Sequence, residues 1–413
     1  MNGKKLVDGL RSAKREVFAI GKYLRQRSMP RPDGPVRVGF LVDFLPALSM
    51  VRRIYRLLEA DDRFEPVLLC VPSNALESPE INDTYEYLKQ QGYETAVNTC
   101  VAPGQWLELE PLGLSYVFYL RPYNHLLPEQ YHCHRLCAFT KVCLVVYGMS
   151  MTKQIAASTM NRDFYRYVYC FVGESPYVMK KNKRDGWLLH LLGLQKSLFL
   201  GMPGVEELRD AEGQPAPAWD FAGDGFRVLW NPRWTTDKSL GGSNFFTFRR
   251  TLLSMAEEKP VALLIRPHPL MLQNFVSTGQ MSEEEVAQFR EECRRLPNVS
   301  LDESREYNAT LWGADVLVTD KSGLMAEFFV TGKPIIFCAG NMELTPTEHM
   351  EQLLKVCYVV RTPEELTERL DALRTGADPL SEKRHALQKT LLGGMDAEPC
   401  RHILEELAKE CKL

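Results

Sequence analysis

The sequence predicts an α/β protein of two similar halves, each a parallel sheet covered by helices, facing a common cleft. Three observations predict it. Short apolar runs alternate with helix-length stretches over most of the chain, the pattern of parallel strands joined by helical crossovers. The alternation is interrupted at residues 206–225, where RDAEGQPAPAWDFAGDG (209–225) has linker composition. The chain's 413 residues suit two domains of about 200, and 45% hydrophobic with 25% charged residues is ordinary globular usage.

Residues 1–31 stand apart. They carry nine Lys or Arg against Asp8 and Glu16, a charge of +7 that leaves −10 on the remainder. Leu6, Leu10, Ala13, Val17, Ile20 and Leu24 recur at helical spacing. A basic helix with one apolar stripe can lie in an anionic membrane interface, and it can equally pack that stripe on the protein. Arg31-Pro32-Asp33-Gly34-Pro35 ends it.

The first domain is expected over 36–205. Its strands are Val36–Val42 with Asp43 at its end, Pro66–Val71, Leu114–Leu120, Val142–Tyr147 running into Gly148, Tyr169–Gly173 running into Glu174, and Leu198–Gly201. Ser49–Glu59 and Tyr85–Gln91 read as helices. The second domain is expected over 226–395. Its strands are Arg227–Trp230, Val261–Ile265, Val299–Leu301, Val316–Thr319, Pro334–Cys338 and Cys357–Val360. Phe245–Glu257, Glu283–Leu296, Glu306–Trp312, Leu324–Val330 and Pro363–Arg374 read as helices, and a last helix is expected within 396–413.

Composition narrows the function. A net charge of −3 makes no case for nucleic acid. No apolar run reaches the roughly 20 residues of a membrane span, and no apolar segment of a secretory signal follows the basic start. Eleven Cys without paired spacing suit reduced, buried thiols. These features predict a cytoplasmic protein, peripheral at the inner face of the cell membrane if residues 1–31 touch lipid. His132-Cys133-His134-x-x-Cys137 lacks the second cluster of a zinc site, so a partly buried segment is expected there, and no metal or cofactor.

Three loops of the second half follow strands, where open α/β sheets bind ligands. Asn231-Pro-Arg233-Trp-Thr-Thr-Asp237 offers a cation and hydroxyls. Arg266-Pro-His268-Pro269 offers a guanidinium and an imidazole. Thr319-Asp320-Lys321-Ser322-Gly323 offers a hydroxyl, an ammonium and a helix start. Arg, Lys and backbone N–H groups hold pyrophosphates, so the three together suggest a nucleotide-diphosphate ligand. Taken singly, Ser322 also suits a plain helix cap, and Arg266 with His268 a structural turn.

The strand–RPHP motif followed by ADVLVTDKSGLMAEF and GKPIIF resembles the CDP-glycerol glycerophosphotransferases, which build teichoic-acid-type polymers. Phe118-Tyr-Leu-Arg-Pro-Tyr123, Val172-Gly-Glu-Ser175 and Gly201-Met-Pro203 are similar to markers in that family's first domain. The resemblance covers roughly residues 36–370. It implies a GT-B fold, with two Rossmann-like domains. It also implies transfer of glycerol phosphate, or a related polyol phosphate, from a CDP-linked donor to a cell-surface glycan or lipid-linked acceptor. The family's R-x-H-P motif falls on Arg266, His268 and Pro269, with His268 stabilising charge on the departing nucleotide. Its T-D-x-S-S motif falls on Thr319, Asp320 and Ser322. The last Ser is Gly323 here, and the often aromatic middle residue is Lys321.

A second departure lies at Tyr147-Gly148, where family members typically have His-Gly with the His as base. A phenol of pKa near ~10 is a poor base at neutral pH. Three accounts are open: Tyr147 positions the acceptor, His125 or Glu174 takes the proton, or the chain binds without chemistry. The acceptor is expected near Asp43, Tyr147, Gly148, Glu174 and His125. Fold alone leaves two alternatives: a nucleotide-sugar glycosyltransferase or UDP-sugar 2-epimerase-like enzyme, and a non-catalytic nucleotide- or glycan-binding protein.

Overall fold

A computed structural model describes residues 3–30, 34–72, 82–146, 148–154, 160–340, 343, 345–393 and 398–411, with side chains omitted for 3–12 and 393. Tyr147 lies outside the described residues. The chain divides into two compact units. One comprises 1–149, 157–206 and 395–413, the other 150–156 and 207–394.

Strands of the first unit are β1 (Val36–Val42), β2 (Phe64–Cys70), β3 (Ala96–Asn98), a small hairpin β4 (Cys100–Ala102) and β5 (Gln105–Trp106), β6 (Tyr116–Tyr119), β7 (Lys141–Val145), β8 (Cys170–Gly173) and β9 (Lys196–Phe199). Seven of them form one sheet in the order β3-β2-β1-β6-β7-β8-β9, parallel throughout. Side chains alternate along each strand. Leu41, Leu69, Val117, Tyr119 and Leu144 enter one core, while Phe40, Leu68, Phe118, Cys143 and Val145 enter the other. Burial on both faces explains why these strands read as continuous apolar runs.

The helix expected in residues 1–31 spans Gly3–Ser28. Its packed face differs from the expected stripe. Ala19 and Tyr23 are buried in the first core, and the Glu16 carboxylate accepts from Arg162 and Arg166. Gln26 donates to the carbonyl of Thr140 at 2.5 Å. Val17 and Leu24 are 69% and 56% exposed. Of the stripe residues whose side chains are described, Ile20 packs against the first core, while Ala13, Val17 and Leu24 face outward.

Helix Pro399–Cys411 packs Ile403 and Leu407 into the second core of this unit. Its Glu410 accepts from Lys141, Tyr116 and Tyr169 at 2.7–2.8 Å and pairs with Lys196. Burial opposes ionisation there, yet the hydrogen bonds from Lys141 and Lys196 outweigh it and hold the pKa at about 2. Cys133 and Cys137 are buried in the first core, in line with a packed segment.

Strands of the second unit are β10 (Phe226–Asn231), β11 (Val261–Ile265), β12 (Val299–Leu301), β13 (Val316–Thr319), β14 (Ile335–Cys338) and β15 (Tyr358–Val360). They form a parallel sheet in the order β12-β11-β10-β13-β14-β15. The order reverses between β10 and β13, which makes their carboxyl ends a switch point of the kind that binds ligands. Trp230 stacks on Phe245 at 5.4 Å, and Val228, Leu263, Ile265, Val316 and Val318 complete the core beneath helix Phe245–Glu258.

The expected linker 206–225 is packed rather than loose. Helix Gly204–Asp210 occupies its start, and Trp219 is 2% exposed and donates its indole N–H to Thr310 O at 2.9 Å. A Cβ at Gly313 would meet Trp219 at 2.5 Å, so the close approach needs glycine. Residues 150–154 also lie on this unit, where Thr152 bridges Pro346 and Thr347 bonds Ser150 and Met151.

Candidate active site

The loops after β10 and β13 are locked together by Asp320. Its carboxylate is buried and accepts from the Arg233 N–H (2.9 Å), the Ser243 hydroxyl (3.3 Å), and the N–H and side-chain amide of Asn244 (3.2 and 2.8 Å). Burial raises its pKa to about 6, against those four hydrogen bonds. The Thr319 hydroxyl is fully buried and donates within the same junction, to Asn231 O at 3.1 Å or Asp320 O at 2.9 Å. Thr319 and Asp320 are therefore engaged inside the fold, which leaves Lys321, Ser322 and Gly323 as the candidate ligand-facing residues of this loop.

Three basic side chains converge at the switch point. Arg233 donates to Lys321 O at 2.9 Å. Lys321 is only 8% exposed, and its pKa falls to about 7, first through burial and then through the charge of Arg233. His268 has its pKa lowered to about 4 by burial, Arg233 and Lys321. Its Nδ1 accepts from the Leu270 N–H at 3.2 Å. Nε2 therefore carries the proton of the neutral ring and is the atom that can donate to a ligand. Ser322 Oγ accepts from Leu324 N–H at 3.2 Å, which leaves the hydroxyl as a donor. A Cβ at Gly323 would meet nothing within 4 Å, so the loop borders open space.

Arg266 sits differently from its neighbours. Its guanidinium pairs with Asp302 at 2.6 Å, donates to Ser304 O at 2.9 Å, and lies 4.4 Å from the Tyr307 ring centroid. Tyr307 in turn donates to Glu327 at 2.8 Å. Burial raises the Glu327 pKa to about 7, with Tyr307 and Arg266 opposing. Arg266 thus braces the β11 loop against the helix that follows Gly323.

Sequence reasoning missed Gly241, Ser243 and Asn244. Gly241 has φ +103°, and a Cβ there would lie 2.9 Å from Arg233 Nε and 3.3 Å from Lys321 Cδ. The Gly241-Gly242-Ser243-Asn244 run before a helix was the available signal.

On the first unit, Asp43 ends β1, is buried, and pairs with Arg121 beyond β6 at 2.6 Å. Burial raises its pKa and Arg121 opposes the rise. Glu174 is buried beyond β8, beside Ser175, which caps helix Pro176–Asp185. Gly148 lies beyond β7 with open space about its Cα, and His125 is exposed, its ring centroid 5.7 Å from that of Tyr123.

Two parallel-sheet units with a phosphate-suited edge define a GT-B protein, and comparison with solved structures agrees. The wall teichoic acid polymerase TagF matches at 15% identity and TM-score 0.57, over 98% of both chains. UDP-GlcNAc 2-epimerase from Neisseria meningitidis bound to UDP-GlcNAc matches at 14% identity and TM-score 0.59, over 91% of this chain and all of that one. MnaA of S. aureus with UDP matches at 12% identity and TM-score 0.58, over 92% and 97%. By sequence, residues 217–409 match the family CDP-Glycerol:Poly(glycerophosphate) glycerophosphotransferase. No curated protein matches the chain by sequence.

Proposed function

We propose that this chain is a transferase that moves glycerol phosphate, or a related polyol phosphate, from a CDP-linked donor to a cell-surface glycan or lipid-linked acceptor. The family match over 217–409 carries the reading, because that stretch holds all three loops. One of the similar TagF structures was soaked with CDPG, which favours a cytidine donor over the uridine of the epimerases.

In this reading Lys321, Arg233, Ser322 and the amide of Gly323 hold the pyrophosphate, and Arg266 keeps the β11 loop in place. The acceptor hydroxyl oxygen attacks the phosphorus that bears glycerol. A new P–O bond forms, and the bond to the CMP oxygen breaks with its electron pair leaving on CMP. The Nε2–H of His268 donates to the oxygen where that charge collects, an electrostatic stabilisation made stronger by burial. The acceptor side falls to the first unit, near Asp43, Gly148 and Tyr147. The hydroxyl proton passes to His125, Glu174 or Tyr147; His125 is exposed and Glu174 is buried. The reaction runs in the cytoplasm, at the inner face of the cell membrane.

The test is CMP release from CDP-glycerol with a lipid-linked glycan acceptor. The native protein is expected to release CMP and add glycerol phosphate, and folded His268→Ala to lose at least ~100-fold in turnover. Epimerisation of UDP-GlcNAc instead would move the chain to the epimerase class, and neither reaction would favour a binding protein.

A further inference from the structure

We infer that the first unit binds the acceptor through neighbouring hydroxyls at a switch point of its own, where Asp43 and Arg121 present one acceptor and one donor side by side. The role of that ligand as acceptor rests on the transferase reading; the site itself follows from the first unit alone. In the seven-stranded sheet, β1 leads to β2 and β3 on one side, and β6 to β9 run away on the other. The order therefore reverses between β1 and β6, and their carboxyl ends form a crevice of the kind that takes ligands. Leu41 on β1 pairs with Tyr119 on β6. Asp43 and Arg121 each lie two residues further on, so the register sets them opposite one another. Arg121 Nε and Nη2 donate to Asp43 Oδ2 at 3.2 and 2.6 Å, and Nη2 also donates to Asp43 O at 3.1 Å. The guanidinium carbon lies 4.6 Å from the centroid of the Phe44 ring. These hydrogen bonds and the aromatic face hold both groups still.

The atoms that these contacts leave over are the recognising pair. Among the described residues, Asp43 Oδ1 and Arg121 Nη1 have no partner on another residue, and neither is sealed from solvent. A buried ion pair that only joined two strands would have its remaining donors and lone pairs satisfied. Asp43 is 6% exposed, so little water competes for the open oxygen. A carboxylate oxygen accepts from one hydroxyl, and the guanidinium N–H beside it donates to the oxygen of the next. That pattern fits a vicinal diol, as at the end of a glycerol unit or on a sugar ring. It does not fit a phosphate, whose oxygens the Asp43 carboxylate repels. An apolar chain would leave both polar groups unpaired.

The test is binding of small diols to the full chain by saturation-transfer NMR titration, read beside CMP release from CDP-glycerol. The probes are glycerol monobutyl ether, the same ether without its middle hydroxyl, and methyl glucoside. The native protein should bind the glycerol ether or the glucoside at least ~10-fold more tightly than the deoxy ether, through the hydrogen bond to a charged group that the deoxy ether lacks. The tighter of the two identifies a polyol or a sugar end. Arg121→Lys keeps a cation beside Asp43 but loses the planar fork. It should bring the preference to within ~2-fold while CDP affinity stays unchanged. The native comparison needs no substitution, so it decides even where that variant fails to fold. Equal native affinity for the diols and the deoxy ether, or a preference that Arg121→Lys leaves intact, would overturn the proposal. CMP release onto another acceptor would then leave the transferase reading standing. Diol preference without CMP release would support the site and overturn that reading instead.

Discussion

Replacing Lys321 by Met should stabilise the protein while weakening its ligand. The ammonium is buried beside the Arg233 guanidinium, with its pKa moved from 10.5 to about 7. Keeping it charged in the fold therefore costs on the order of 4 kcal/mol at neutral pH. The sign follows from proton counting. Between pH 7 and 10.5 the unfolded chain holds this proton more tightly than the folded one, so the native protein gains stability as pH rises through that window. Below pH 7 the full penalty applies. Lys321→Met keeps the stem that packs against Gly241 and removes the charge. Urea unfolding at pH 7 should show the variant more stable by about 2 kcal/mol or more, and the native rise between pH 7 and 10 should flatten. Calorimetry with CDP should show at least ~10-fold weaker binding, the loss of a charge-assisted contact. A bound diphosphate favours the ammonium, so native affinity should fall as pH rises above 7. A variant that is less stable at pH 7 and binds CDP as well as native would refute the reasoning.

Two further outcomes concern the scaffold. Asp320→Ala leaves the donors of Arg233, Ser243 and Asn244 without their buried acceptor, and should lower stability by about 3–5 kcal/mol in urea unfolding. Glu410→Gln should cost about 3 kcal/mol at pH 7, since the carboxyl pKa is held at about 2 against a usual 4.5. The native contribution is complete above pH 4.5 and is lost as pH falls toward 2, so the variant should lose less stability across that acid window.

Much of the scaffold was legible because parallel strands buried on both faces announce themselves as apolar runs. Val36–Val42, Val261–Ile265, Val299–Leu301 and Val316–Thr319 occur with the expected bounds. The three-residue β3 and the β4–β5 hairpin were not expected, being too short to carry a period. Polar residues misled where a distant partner decides. Nothing in the local pattern shows that Glu16 meets Arg166, which sets the packed side of the first helix. The Pro- and Ala-rich 209–225 has linker composition, but the Trp219 bond to Thr310 lies 91 residues along the chain.

The same limit applies at the site. Arg233, His268, Lys321 and Ser322 lie in the loops after β10, β11 and β13, at one sheet edge, a placement that follows from topology. The division of labour did not follow. Arg266 carries a charge that suits phosphate and Asp320 shares a loop with Lys321, yet Asp302 engages the first at 2.6 Å and four donors engage the second. Gly241 matters through a left-handed φ and through the closeness of Arg233 to where a Cβ would stand, neither of which its neighbours in sequence reveal.

The measurement that tests the central claim most directly is calorimetric titration of CDP into native protein and folded His268→Ala at neutral pH. A cytidine diphosphate held at the β10–β13 switch point predicts one site on the native chain and at least ~10-fold weaker binding to the variant, through loss of the Nε2–H donor. Equal affinities, or no binding to the native protein, would contradict that assignment.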